Sequence, residues 1–218
     1  MDPLTQATLG AAAAQVSRPR RFVAASGAGA AGGFLPDADV LIRSSSDPLL
    51  FLEYHRHFTH SLAFIPIGGA VTALCCAKLS RGRVGFRELF LPATLGWATH
   101  GLLDSCTSYG TYLYWPFSDE RVAWHLVSIV DPLFTVPLLA GVIWAIRRRS
   151  VRIARASLAV ALAYIGFCAF QLHRAESIHA GVMAERGHAS RGVAVKPSMG
   201  NNIVFRAFYE YDGAYYAD

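Results

Sequence analysis

The sequence predicts an all-α polytopic membrane protein, a helical bundle with a small β-rich segment at its C-terminal end. Three observations carry that prediction. The 218 residues are 53% hydrophobic and 16% charged, more apolar than an ordinary soluble domain of that length. Four charge-poor stretches, residues 62–79, 89–103, 127–146 and 153–172, approach the roughly 20 residues a helix needs to cross a hydrocarbon core. Basic residues gather in the short segments around these stretches, where membrane topology places them.

Taken in order, residues 4–16 are Ala-rich but short and residues 22–35 are rich in Gly and Ala, which fits two short helices packed closely through small side chains. Asp2, and the absence of Lys or Arg before Arg18, argue against a cleaved secretory signal, which wants a basic start. The basic clusters are Arg18, Arg20 and Arg21; Lys78, Arg81, Arg83 and Arg87; and Arg147, Arg148, Arg149, Arg152 and Arg155. Set together on the cytoplasmic side, they give one consistent path: 22–35 cross outward, 62–79 return, 89–103 cross outward, 127–146 return, and 153–172 deliver the tail outside. Three polar segments, 36–61, 100–131 and 173–218, then share the extracytoplasmic face, although their His and Asp residues played no part in choosing the path. These loops account for the net charge of +5, so membrane lipids are expected as partners and nucleic acid is not.

Beyond residue 172 the composition changes, which divides the chain into a helical domain over 1–172 and a β-rich extramembrane segment over 173–218. Residues 193–196 and 202–211 carry β-branched and aromatic side chains, and Asp212-Gly213 is a hairpin signal ahead of Ala214, Tyr215 and Tyr216. The returning strand has barely begun at Asp218, which reads as an incomplete segment of a longer protein. His173, His179 and His188 lie in this polar stretch and are expected to be solvated. Cys75, Cys76, Cys106 and Cys168 show no CxxC spacing and are expected to pack as small apolar groups.

Four motifs carry chemistry. Pro36-Asp37-Ala38-Asp39 offers two carboxylates that point differently from a turn, so that one can ligate a metal while the other orients a neighbour; the bland alternative is a capping loop. His55-Arg56-His57-Phe58-Thr59-His60-Ser61 places three histidines at the entrance to an apolar run, and neutral imidazole is a good zinc ligand. His55 and His60 need not share a face, which leaves separate metals or separate shells open. His100-Gly101-Leu102-Leu103-Asp104 is the sharpest signal, because i and i+4 side chains lie on one helical face and can grip one ion; the alternative is a buried His–Asp hydrogen bond that joins helices. Either way, leaving both polar groups unpaired in an apolar segment would cost several kcal/mol. Residues 107–119, followed by His125 and Asp131, form a loop whose Trp115, Phe117 and Trp124 suit a bilayer interface, and whose Asp119 and Asp131 can equally assist a metal or pair with Arg121 or Arg56.

These motifs resemble the YdjM-like family of bacterial inner-membrane proteins described as metal-dependent hydrolases. The resemblance rests on Met1-Asp2-Pro3-Leu4-Thr5-Gln6, Pro36-Asp37-Ala38-Asp39, His55-Arg56 with Phe58-Thr59-His60-Ser61, His100 through Asp104 with Thr107-Ser108-Tyr109-Gly110, and Trp115-Pro116-Phe117-Ser118-Asp119. The family is held to be similar to zinc-dependent phospholipase C and the P1-type nucleases, helical enzymes that bind zinc clusters. By that analogy Asp39, His60, His100 and Asp104 form the core metal shell, with His55 and Asp37 as ligands or supports behind them. Gln6 and Val40 stand where some relatives carry His, which speaks against a full set of ions; His57 stands where Gly is common and inherits no ligand role.

The functional expectation is therefore a membrane-bound hydrolase at the inner membrane. One or two divalent ions, zinc first among them, activate water against a phosphoester or related ester of a small molecule or lipid. Arg56 holds a phosphate oxygen and Asp37 assists. The alternatives are a non-catalytic metal scaffold, a transporter, or a regulator that acts through a partner protein. Transport fits less well, because residues 62–79 and 153–172 offer no acid or imidazole.

Overall fold

The computed structural model describes residues 1–17, 19–47, 49–190 and 192–218, so Arg18 of the first basic cluster lies outside the described residues. Helix α1 (Pro3–Val16) starts where Asp2 caps it, its carboxylate accepting from Thr5 N at 3.0 Å, with Pro3 in the first turn. Helix α2 (Phe22–Phe34) packs against α1, and both pack on α5 (Phe86–Ser105). Small residues set these approaches, as the sequence led us to expect. A Cβ on Gly96 would lie 2.1 Å from the Gly29 carbonyl oxygen, and one on Gly29 would lie 2.4 Å from that of Gly10, so only glycine lets the three backbones touch.

A 3-10 segment (Leu35–Leu41), a short helix α3 (Leu50–Tyr54) and two further 3-10 turns (Phe58–His60 and Leu62–Phe64) lead into α4 (Ile65–Leu79). Helix α6 (Pro132–Arg148) begins later than residue 127, because Asp131 caps it through Leu133 N and Phe134 N while residues 126 and 127 are tied to the Cys106 carbonyl at 2.8 and 3.1 Å. Helix α7 (Val151–Arg186) continues through residues 173–186; no proline interrupts it, and Gly187 at φ 71 ends it.

Two segments, Leu62–Leu79 and Val151–Arg186, are long and apolar enough to cross a membrane, each holding an 18-residue stretch of mean hydropathy 1.8. The other two expected spans are helical but fall short of that measure among the described residues. Helix α6 has 17 residues and ends in Arg147 and Arg148, and α5 carries Arg87, Glu88, His100 and Asp104. Large apolar side chains nevertheless stay exposed on all four helices, among them Val71, Leu91, Val136, Trp144 and Phe170.

Strands β1 (Ala194–Pro197), β2 (Phe205–Tyr211) and β3 (Ala214–Ala217) form an antiparallel sheet in that order. Asp212 (φ 51) and Gly213 (φ 73) both take left-handed backbone, as the expected tight turn requires. Val195 and Ala207 pack on Leu172 of α7. Two histidines expected to be solvated hold this junction together: His179 is buried against Tyr209, and His188 stacks on Tyr211 with centroids 4.1 Å apart, both drawn in by the aromatic face of the sheet. His173 is exposed. All four cysteines are free, Cys106 and Cys168 buried, Cys76 partly covered and Cys75 exposed.

The turns between α1 and α2, α4 and α5, and α6 and α7 meet at one end of the bundle, where Arg20, Val84 and Arg149 line a common recess. The C-terminal ends of α2 and α5 point the other way, and the polar motifs gather there.

Candidate metal centre

Helix α5 is the spine of this end. His100 and Asp104, one turn apart on a single face, are both fully buried, and the close approach of α1 and α2 that the glycines allow brings Gly33 and Gln6 against them. His100 Nδ1 donates to the Gly33 carbonyl oxygen at 2.6 Å. Because a carbonyl only accepts, the second nitrogen, Nε2, is left to face the site. Gln6 Nε2 donates to Asp104 Oδ1 at 2.9 Å, and the buried amino group of Met1 pairs with the same oxygen. Asp104 Oδ2 is buried without a hydrogen-bond partner and points inward with the imidazoles.

The loop before α4 supplies His60. Its carbonyl passes so close to α5 that a Cβ on Gly101 would lie 2.2 Å from the oxygen. Trp97 Nε1 donates to the Thr59 carbonyl at 2.9 Å and fixes the turn. Asp39 braces the loop from behind. Its Oδ2 accepts from Arg56 N and Thr59 Oγ1, both at 2.9 Å, and lies 3.3 Å from His60 Nδ1, while its Oδ1 lies 2.9 Å from His55 Nδ1. With Thr59 Oγ1 donating to Asp39, the hydroxyl oxygen is free to accept from His60 Nδ1 at 3.0 Å, which leaves His60 Nε2 facing inward too.

Four ligand atoms thus converge. Those of Asp37, His60, His100 and Asp104 all lie within 4.8 Å of one another. The two imidazole Nε2 atoms are 2.9 Å apart; Asp37 Oδ1 lies 3.3 Å from His100 Nε2 and 3.5 Å from His60 Nε2, and Asp104 Oδ2 lies 3.3 Å from His60 Nε2. Compared with the set that the resemblance implied, Asp37 stands where Asp39 was expected. The 3-10 turn sends alternate carboxylates in different directions, and both oxygens of Asp39 are committed to the loop. His55 likewise sits behind the cluster, on Asp39.

Electrostatics follow this geometry. Burial raises the carboxyl pKa of Asp37, but hydrogen bonds from His100 and His60 outweigh it and hold the group well below the usual carboxylate range; His55 and His60 do the same for Asp39. Burial alone would lower the His60 pKa, yet the neighbouring carboxylates of Asp104, Asp37 and Asp39 raise it to about 10.

Arg56 has a left-handed backbone (φ 63), secured by Tyr112 N and Thr111 Oγ1 donating to its carbonyl at 3.1 Å each. Its buried guanidinium donates from Nη1 to Thr107 Oγ1 at 3.2 Å, lies over Tyr109 at 5.3 Å and brings Nε to 3.4 Å from Asp104 Oδ2. Asp131 belongs elsewhere: it caps α6 and accepts from the Tyr164 hydroxyl at 2.8 Å. Asp119 is exposed, and His125 and His57 stand outside the four-donor group. Sequence reasoning missed the Gly33 carbonyl and the Met1 amino group. A backbone acceptor leaves no signature in residue type, and the Met1 contact spans almost half the chain.

A helical bundle with exposed apolar flanks, two of whose segments are long and apolar enough to cross a membrane, fits a membrane protein. Residues 1–175 match the family model described as "YdjM inner membrane protein", and the chain belongs to that family of bacterial inner-membrane proteins. It is similar to the inner membrane protein YbcI of Escherichia coli (strain K12), 37% identical over 101 residues, which cover 44% of this chain and 56% of that one. It is also similar to YfhP of Bacillus subtilis (strain 168), an uncharacterized protein, 30% identical over 115 residues, 52% of this chain and 35% of that one. The chain therefore aligns with about half, or less, of the length of these curated relatives. No solved structure matches.

Proposed function

We propose that the protein is a membrane-bound, metal-dependent hydrolase of phosphoesters or related esters, with one divalent ion, zinc first, held by Asp37, His60, His100 and Asp104. A single observation carries the metal: His60 and His100 turn their Nε2 atoms toward each other at 2.9 Å while Gly33, Asp39 and Thr59 occupy both Nδ1 positions. Two lone pairs so placed repel unless a cation or a proton lies between them. The unpartnered Asp104 Oδ2 and the mixed imidazole–carboxylate donor set suit zinc better than an oxygen-preferring ion. Asp39 has no free oxygen for a second ion, which favours one over two.

When bound, such an ion supplies a water of lowered pKa and Lewis acidity toward an ester oxygen. The protein's own groups do the rest. Arg56 presents Nε beside Asp104, where it can bind an anionic oxygen, and Tyr109 and Thr107 fix its orientation. The Asp37 side chain, 20% exposed, is the member of the cluster open to substrate.

In this reading the chain crosses the membrane several times and the site lies on the extracytoplasmic side. Helix α5, with 20 residues, runs about 30 Å from the basic end to Asp104, the thickness of a hydrocarbon core. The arginines gathered at its far end support that orientation. A site at this depth favours a lipid or lipid-linked substrate.

The second reading is a non-catalytic metal scaffold, and the donor count favours it, because four protein ligands saturate a tetrahedral zinc. Metal analysis paired with a screen of phospholipids and phosphodiesters separates the two. Hydrolysis that disappears together with the metal in His100→Ala and Asp104→Ala supports catalysis. Stoichiometric metal without turnover on any ester supports the scaffold, and unchanged turnover in those variants removes the hydrolase assignment.

A further inference from the structure

We infer that the basic end of the bundle binds an anionic phospholipid, its phosphate seated between Arg20 and Arg149. Arg20 and Arg21, from the turn before α2, and Arg149, from the turn after α6, line one recess of about 610 Å³ whose apolar wall includes Phe22, Val84 and Val151. Of the three guanidiniums only Arg21 has an acidic neighbour, Glu88 at 3.5 Å, and among the described residues Arg20 and Arg149 form no ion pair. Like charges brought around one recess from two separate turns repel one another, and an anion between them reverses the sign of that interaction. Guanidinium matches the geometry of a phosphate through paired N–H donors.

The recess also distinguishes a lipid from free phosphate. Val23, on the same wall, is 54% exposed, so an apolar strip of α2 continues outward from the cations and offers acyl chains a surface. Basic pockets between helices at a cytoplasmic surface recognise lipid headgroups in this way. The inference rests on reading the chain as membrane-embedded with its basic turns at the cytoplasmic surface; it is independent of the metal centre at the other end.

The test uses the full chain in nonionic detergent, titrated separately with phosphatidylglycerol, phosphatidylcholine and glycerol phosphate, and followed by melting temperature and native mass spectrometry. Phosphatidylglycerol should raise the melting temperature by ~5 °C near saturation, and the other two should not. Arg20→Gln with Arg149→Gln should weaken the apparent affinity at least ~10-fold, while Arg81→Gln with Arg83→Gln, outside the recess, should leave it unchanged. Arg20→Gln alone, in a turn, carries the test if the double variant does not fold. Three results would each overturn the proposal: an undiminished response in the recess variants, an equal loss in the Arg81 and Arg83 pair, or a response to glycerol phosphate equal to that of the lipid. Zinc content, read in parallel, reports on the other end of the molecule, so failure here is distinguishable from failure of the metal assignment.

Discussion

His60 and His100 face one another through Nε2 atoms 2.9 Å apart, while Nδ1 of one is braced by Asp39 and Nδ1 of the other by the Gly33 carbonyl. The pair is pre-oriented from behind, which restricts what the facing atoms can hold.

The first prediction separates the two carboxylates of the DxD motif. Asp37→Ala removes a ligand atom and should abolish stoichiometric zinc binding, whereas Asp39→Asn, which only loosens the support of His60 and His55, should weaken it by ~10- to 100-fold. Equilibrium dialysis with elemental analysis reads both. Equal losses would mean that Asp39 is itself a ligand.

A second concerns pH. Zinc must displace the proton that the surrounding carboxylates hold on His60 up to about pH 10, while Asp37 and Asp39 are already ionised at neutral pH. Apparent zinc affinity should therefore rise with pH by about tenfold per unit below that value, with about one proton released on binding. Calorimetry in buffers of different protonation enthalpy measures the release. Because the folded pKa lies above the ordinary value of 6.5, the metal-free protein should keep this contribution to stability below pH 6.5 and lose it as pH rises toward 10.

Close backbone packing gives a third. Gly96→Ala forces a Cβ to 2.1 Å from the Gly29 oxygen, and Gly101→Ala forces one to 2.2 Å from that of His60. Each should cost about 1–3 kcal/mol, and Gly101→Ala should also lower zinc content by displacing the ligand loop. Gly166→Ala, in mid-helix with nothing within 4 Å of its Cβ, should be neutral or stabilising by up to about 1 kcal/mol. Thermal melts rank all three.

Asp131 supplies the fourth. Asp131→Ala removes the α6 cap and leaves the Tyr164 hydroxyl unpaired, which should destabilise the protein by about 1–3 kcal/mol without lowering the zinc content. A loss of metal in this variant would tie Asp131 to the centre after all.

Much of the helical framework was legible because it depends on local pattern. Asp212-Gly213 turns β2 into β3 by backbone preference alone, whereas the caps that Asp2 and Asp131 provide went unread and α6 was expected from residue 127. His100 and Asp104 could be paired from spacing, since one helical turn fixes their shared face. The course of α7 beyond residue 172 was not legible, because a polar surface is no signal against a helix, and His179 and His188 are covered only once the sheet folds back on them.

The sequence by itself determined which residue types are available for the centre, and that an apolar chain carries them in a few short segments. Only the tertiary structure decided which carboxylate of the DxD motif enters, which nitrogen of each imidazole faces inward, and that Arg56 stands beside Asp104. The physical reason is that these choices are made by partners distant in the chain, such as the Gly33 carbonyl behind His100 and Asp39 behind His60. Glycine contacts between helices bring those partners within hydrogen-bond reach, and no local pattern encodes that approach.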